Sequence, residues 1–199
     1  MKLFKSHPTE TYDNLRQLYL DSVDRYADRV LIKQRINDSY EEITYRRYGA
    51  DVEALGTALL ARSLGGKHVI LIGENSYHWL VSYLAVICGV GVVIPVDKDI
   101  SAEALKSIAD TAEAAAIIHS PTCTEAVSAC GNAILTISFD ALDDMIREGN
   151  ERIIAGDRAY LDTPIDNDTM STIIFTSGTD SSIRKGIMLS HRNLCFSLS

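Results

Sequence analysis

Residues 69–96 read VILIGENSYHWLVSYLAVICGVGVVIPV, and the order of their parts decides the fold. Val69-Ile70-Leu71-Ile72 is a short β-branched run with no polar alternation, the pattern of a strand buried on both faces. Ser76 can cap a helix running through Cys88, Gly89-Val90-Gly91 turns the chain, and Val92-Val93-Ile94 makes the next strand. The 18 residues from Trp79 to Val96 hold Ser82 as their only plainly polar side chain, which is the lower edge of a membrane span. The glycines interrupt that run and Pro95 ends it, so the reading taken is buried helix, turn, buried strand.

The same rhythm continues outward. Ala116-Ile117-Ile118, Ile134 to Ile137 and Thr172 to Phe175 read as further strands. Helices are expected from Ser101 to Thr111, from Thr122 to Ala129 and from Asp140 to Arg147. Upstream lie a helix from Thr11 to Ala27, with Leu15, Leu18, Tyr19 and Val23 on one face, and a hairpin of Val30 to Ile36 with Tyr40 to Ile43. A helix capped by Thr44 follows, its stripe being Tyr48, Val52, Leu55 and Leu59. Glu148 to Asp168 carries Gly149, Gly156 and Pro164 and reads as a connecting segment. The expected fold is α/β: a largely parallel sheet with helices on both faces, preceded by a helix and a β-hairpin. Residues 1–170 are expected to form this subdomain. Residues 171–199 are expected to open the next one.

Composition narrows the function. With 46% apolar and 23% charged residues the chain is globular, and a net charge of −8 argues against a general nucleic-acid binder. The charge is uneven: residues 171–199 hold Asp180 against Arg184, Lys185 and Arg192, a net +2 that leaves −10 for the rest. A small anionic ligand suits such an island; a solvated basic turn reads the same way. Cys88, Cys123, Cys130 and Cys195 have no C-x-x-C or zinc-ligand spacing, and free thiols with no apolar leader fit a cytoplasmic protein. No metal site is expected. Asp143-Asp144 and Asp162, Asp166 and Asp168 read as solvated surface. His191, after a cap at Ser190, reads as an exposed histidine at a helix start. Glu74 and Asn75, just past a strand end, read as turn and helix-entry residues.

The chemistry concentrates after the last strand, in Thr176-Ser177-Gly178-Thr179-Asp180-Ser181-Ser182. Backbone N–H groups in such a loop can turn inward around an anion, and the hydroxyls can donate to phosphate oxygens. Gly178 permits the turn and Lys185 adds a mobile point charge. An ordinary Ser/Thr turn between two strands has the same composition. Two commoner nucleotide fingerprints fail: a Walker A loop needs glycine where Ile183 stands, and a G-x-G-x-x-G from Gly89 needs glycine at Ile94.

Phe175-Thr176-Ser177-Gly178-Thr179, then Lys185-Gly186-Ile187-Met188-Leu189-Ser190-His191-Arg192-Asn193-Leu194, resembles the signature loop of AMP-forming acyl-CoA synthetases and their adenylating relatives. Gly73-Glu74-Asn75-Ser76 through Pro95-Val96-Asp97 resembles an earlier block of the same superfamily, and Ile43-Thr44-Tyr45 sits where it has a Thr-Tyr helix start. The likeness runs from about Val30 to Leu194. It implies that Thr176, Ser177, Gly178, Thr179 and Lys185 bind the phosphates of Mg-ATP, with Asp180, Ser181, Ser182 and Arg184 as auxiliaries. It implies activation of a carboxylic acid, first of all a fatty acid, as acyl-adenylate with release of pyrophosphate, then transfer to coenzyme A. Asp180 to Arg184 depart from the usual Thr-Gly-x-Pro and add one residue; a carboxylate there calls for Mg²⁺ or Arg184 to screen it.

Members of the superfamily are well over twice this length, so the chain is expected to be the amino-terminal part of a ligase, with no catalytic residue of its own and inactive without its carboxy-terminal domains. A peptide-synthetase adenylation domain or an aryl-CoA ligase is the alternative within the superfamily. A non-catalytic α/β binding module is the alternative outside it.

Overall fold

The computed structural model describes residues 11–36, 38–176 and 185–197. Asn14 caps α1 (Leu15–Tyr26), its side chain accepting from the Gln17 N–H. β1 (Val30–Ile36) and β2 (Ser39–Thr44) form a separate antiparallel hairpin. Thr44 then caps α2 (Tyr45–Ala61) through the Arg47 N–H, and all four residues of the expected stripe are buried.

The alternating part follows as β3 (Lys67–Ile72), α3 (Tyr77–Ala85), β4 (Gly91–Val96), α4 (Ala102–Thr111) and β5 (Ala116–His119). After these come α5 (Thr124–Ser128), β6 (Leu135–Ser138), α6 (Leu142–Ile154), α7 (Ala159–Asp162), β7 (Met170–Thr176), β8 (Lys185–Ser190) and α8 (His191–Phe196). One sheet of six strands runs β6-β5-β3-β4-β7-β8, parallel except for the final β7–β8 pair.

Side-chain alternation divides the core into two layers. Val69, Leu71, Val93, Ile118 and Ile137 face α2, α3, α6 and α7. Ile70, Ile72, Ile94 and Ile117 face α4 and α5. Val69 to Ile72 are each 0% exposed, which is why β3 reads as an unbroken apolar run; each such side chain contributes roughly 1.5–3 kcal/mol. Connections stepping toward β7 carry their helices on the first face, and those stepping toward β6 carry them on the second. Reversing direction and face together keeps all four crossovers of one hand, as twisted strands demand.

Three expectations need correction, and one strand is additional. α1 starts at Leu15, because Asn14 supplies the cap. Pro95 lies inside β4, opposite Leu71; the β4–β7 ladder pairs in register only at Val93 and Thr172, so little pairing is lost to the missing N–H. Residues 148–168 are not simply a connector: α6 continues through Gly149 to Ile154 and α7 follows. Gly149 is there because α2 leaves no room, a Cβ at that position falling 1.8 Å from the Ala54 carbonyl oxygen. The additional strand is β8, antiparallel to β7, over a stretch for which no element is expected. The apolar run from Trp79 is divided among α3, one π-helical turn (Val86–Val90) and β4. Among the described residues no helix is long and apolar enough to cross a membrane.

Candidate functional site

All five parallel strands end at one edge of the sheet, and β8 begins there. Thr176 closes β7 and Lys185 opens β8, and the two are cross-strand partners in register. Both are exposed. The sequence therefore brings the first and last residues of the expected phosphate loop to one mouth. Ser177, Gly178, Thr179, Asp180, Ser181, Ser182 and Arg184, the other expected contacts, lie outside the described residues.

The strands beneath are fixed by packing. Gly186 stands opposite Phe175, and a Cβ on it would come within 2.9 Å of the Ile173 side chain and 3.3 Å of the Phe175 ring. Absence of a side chain lets Phe175 lie against β8, its ring packed on the α4/α5 layer. Lys185 has no carboxylate partner among the described residues.

The neighbouring loops at this edge are tied together by a clasp that sequence reasoning missed. Ser120, 0% exposed, donates its hydroxyl to Glu74 Oε1 at 2.8 Å, and Thr122 Oγ1 donates to Oε2 at 3.2 Å. Ser120 itself accepts from the Thr122 N–H at 3.3 Å. The Ser120 hydroxyl, the backbone, Thr122 and the charge of Lys98 together hold the Glu74 carboxyl below its ordinary value. Glu74 thus joins the loops after β3 and β5. The only sequence signal was its place after a strand, because its partners lie 46 and 48 residues away.

The basic island is split by the fold. Lys185 stands at the carboxyl edge, whereas Arg192 lies at the opposite end of β8 and grips Asp168 at 2.6 and 2.9 Å. His191 corrects its reading as an exposed residue: it is 4% exposed. Its Nδ1 accepts from the Leu15 N–H at 3.4 Å, and its ring also bonds the Ile87 backbone. A six-residue strand, roughly 20 Å long, separates it from the hairpin mouth.

All four cysteines are free and buried, and burial pushes the Cys88 thiol up to about 12, far from a reactive thiolate. No group of three His, Cys, Asp or Glu among the described residues could hold a metal ion.

A six-stranded, mostly parallel α/β sheet with helices on both faces matches the amino-terminal subdomain of adenylate-forming enzymes. Residues 20–199 match the AMP-binding enzyme family, and the chain belongs to it. It is 27% identical over 206 residues to the chloroplastic long-chain-fatty-acid–[acyl-carrier-protein] ligase of Arabidopsis thaliana, covering 89% of this chain and 28% of that protein. It is 30% identical over 156 residues to the D-alanine–D-alanyl carrier protein ligase of Streptococcus equi, covering 77% of this chain and 28% of that protein. Among solved structures, the fatty acyl-adenylate ligase from L. pneumophila, in complex with acyl adenylate and pyrophosphate, superposes with a TM-score of 0.76. That likeness, at 15% identity, covers 94% of this chain and 32% of the other. The chain thus spans under a third of the length of these relatives.

Proposed function

We propose that this chain contributes the ATP-phosphate site of an acid–thiol ligase that activates a carboxylic acid as acyl-adenylate and passes the acyl group to coenzyme A. The observation that carries the reading is the register of Thr176 against Lys185 at the carboxyl edge. It fixes a cation and a hydroxyl at the two ends of a loop with four further hydroxyl residues, Ser177, Thr179, Ser181 and Ser182. In this reading Thr176, Ser177, Gly178 and Thr179 hold the β- and γ-phosphates and Lys185 neutralises them as pyrophosphate leaves. Asp180, Ser181, Ser182 and Arg184 are auxiliaries. Mg²⁺ would arrive with the triphosphate. Residues 1–170 serve as the supporting subdomain. Residues 171–199, which hold β8 and all but the first residue of β7, two strands paired in the same sheet, lead toward the next.

A fatty acid is the proposed substrate, and the fatty-acid ligase of Arabidopsis supports it. The D-alanine ligase supports an amino acid instead, so a carrier-protein or adenylation-domain role is the second reading. Assay of the parent polypeptide with ATP, coenzyme A and a panel of fatty, aryl and amino acids separates them. AMP and acyl-CoA are expected with fatty acids, and Lys185→Ala is expected to lower turnover about 10²–10³-fold. Lys185→Ala turning over like wild type would remove the lysine from the mechanism. The 199-residue chain by itself is expected to give no carboxylate-dependent pyrophosphate exchange.

A further inference from the structure

We propose that Glu74 is a positioning residue for the phosphate site: its carboxylate holds the loops after β3, β5 and β4 as one wall beside the mouth where β7 and β8 meet. The role rests on the reading of Thr176 to Thr179 and Lys185 as a phosphate loop.

The clasp demands a carboxylate. Ser120 and Thr122 turn their hydroxyl protons toward Glu74, one to each oxygen. A carboxylate offers two acceptor atoms to two donors, whereas a glutamine amide offers one and sets an NH₂ group against the second hydroxyl. Hydrogen bonds to an ionised acceptor are roughly twice as strong as neutral ones. Ser120 is 0% exposed, so water does not replace an acceptor that is lost there. The loops after β3 and β5 are therefore held as one body.

The tie reaches one strand further. Cys123, the neighbour of Thr122, donates its thiol to the Lys98 carbonyl at 3.9 Å. The Lys98 ammonium in turn favours the charge on Glu74. Lys98 belongs to the loop after β4, which Asp97 braces: its Oδ1 accepts from the Asp99 N–H at 2.8 Å and its carbonyl from the Ile100 N–H at 3.2 Å. β4 borders β7, and Val93 pairs with Thr172 in parallel. By residue count from that pair, 93 to 97 and 172 to 176, Asp97 comes level with Thr176. The strand order β5-β3-β4-β7 thus carries the clasp to the hairpin mouth. A wall fixed before the ligand arrives spares the ordering cost that binding would otherwise meet.

The test is titration of the 199-residue chain with Mg-ATP, followed through backbone ¹H–¹⁵N resonances of the folded protein. Read on the folded resonances, the dissociation constant does not move through lost stability alone. Saturable shifts at Thr176 and Gly186 are expected in the wild type, and Lys185→Ala should weaken binding. Glu74→Gln keeps the size and one acceptor, and should raise the constant about fivefold. Thr122→Val, at an exposed position, should raise it in the same direction. Wild-type affinity in both Glu74→Gln and Thr122→Val, with Lys185→Ala weakened, would overturn the positioning role and leave the phosphate loop standing. No saturation in the wild type, or undiminished binding by Lys185→Ala, would remove the phosphate loop and this role with it.

Discussion

His191 is buried as a neutral ring because burial, and then the nearby Arg16 guanidinium, disfavours its charged form; the bond to the Ile87 backbone opposes them more weakly. Its folded-state pKa is therefore below the unfolded value of about 6.5. The unfolded chain binds the proton first on acidification. The stability this group contributes is fully present above about pH 6.5 and is lost as pH falls through the depressed folded value. Urea melts at pH 7.5, 6.5 and 5.5 should show falling stability, and His191→Gln should flatten part of that slope while lowering stability throughout. An unchanged slope in the variant would assign the pH dependence to other groups. At the same scale, the motif Thr176 to Thr179 with Lys185 was legible in the sequence as chemistry, because hydroxyls, glycine and lysine are recognisable wherever they fold. The burial of His191 was not. A cap at Ser190 locates a helix start along the chain, but says nothing of α1, which approaches from 176 residues away.

Among elements, the pairing of α2 with α6 shows how a glycine is misread. By intrinsic propensity Gly149 should break or weaken a helix, and alanine there should gain about 1 kcal/mol. The structure reverses the sign, since a Cβ would sit 1.8 Å from the Ala54 carbonyl oxygen, and backbone cannot swing aside as a side-chain tip can. Separating the two helices also strains the Arg62–Glu148 contact at 2.7 Å. Overpacking costs of about 3 kcal/mol outweigh the propensity gain, so Gly149→Ala should destabilise by about 2 kcal/mol, read as a lower midpoint in urea with an unchanged slope. Stabilisation by this substitution would mean that α2 and α6 pack less closely than described. Strands β3 to β7 and the caps at Thr44, Ser76 and Ser101 were legible because each is a local signal, a β-branched run or a side chain three residues from its donor. The second half of α6, beyond Arg147, and β8 were not: one depends on contact with α2, the other on pairing with β7.

For the molecule as a whole, one side chain joins α1 to two distant segments, at Cys88 and at residues 160–163. Arg16 on α1 donates through Nε to the Cys88 carbonyl at 2.6 Å, through Nη1 to Leu161 at 3.0 Å and Thr163 at 2.7 Å, and through Nη2 to Tyr160 at 3.0 Å. All four acceptors are backbone carbonyls, one in the π-helical turn after α3 and three in and just after α7, so the guanidinium ties α1 to both of these segments. Its plane also lies against the fully buried Tyr160 ring, 5.7 Å from the centroid. Planar geometry with five donors makes arginine the one side chain suited to this arrangement. Lysine reaches with three donors from a single point. Arg16→Met keeps the apolar stem but leaves the carbonyls without their donors, which should cost about 2–4 kcal/mol. For a chain of this size that lowers the melting temperature by roughly 5–15 °C. Arg16→Lys should fall between the two. Calorimetry of the three proteins decides the matter: equal stability of Arg16→Met and wild type would mean that water satisfies these carbonyls equally well. α1 would then be a covering helix, with no part in holding the central sheet's connections in place.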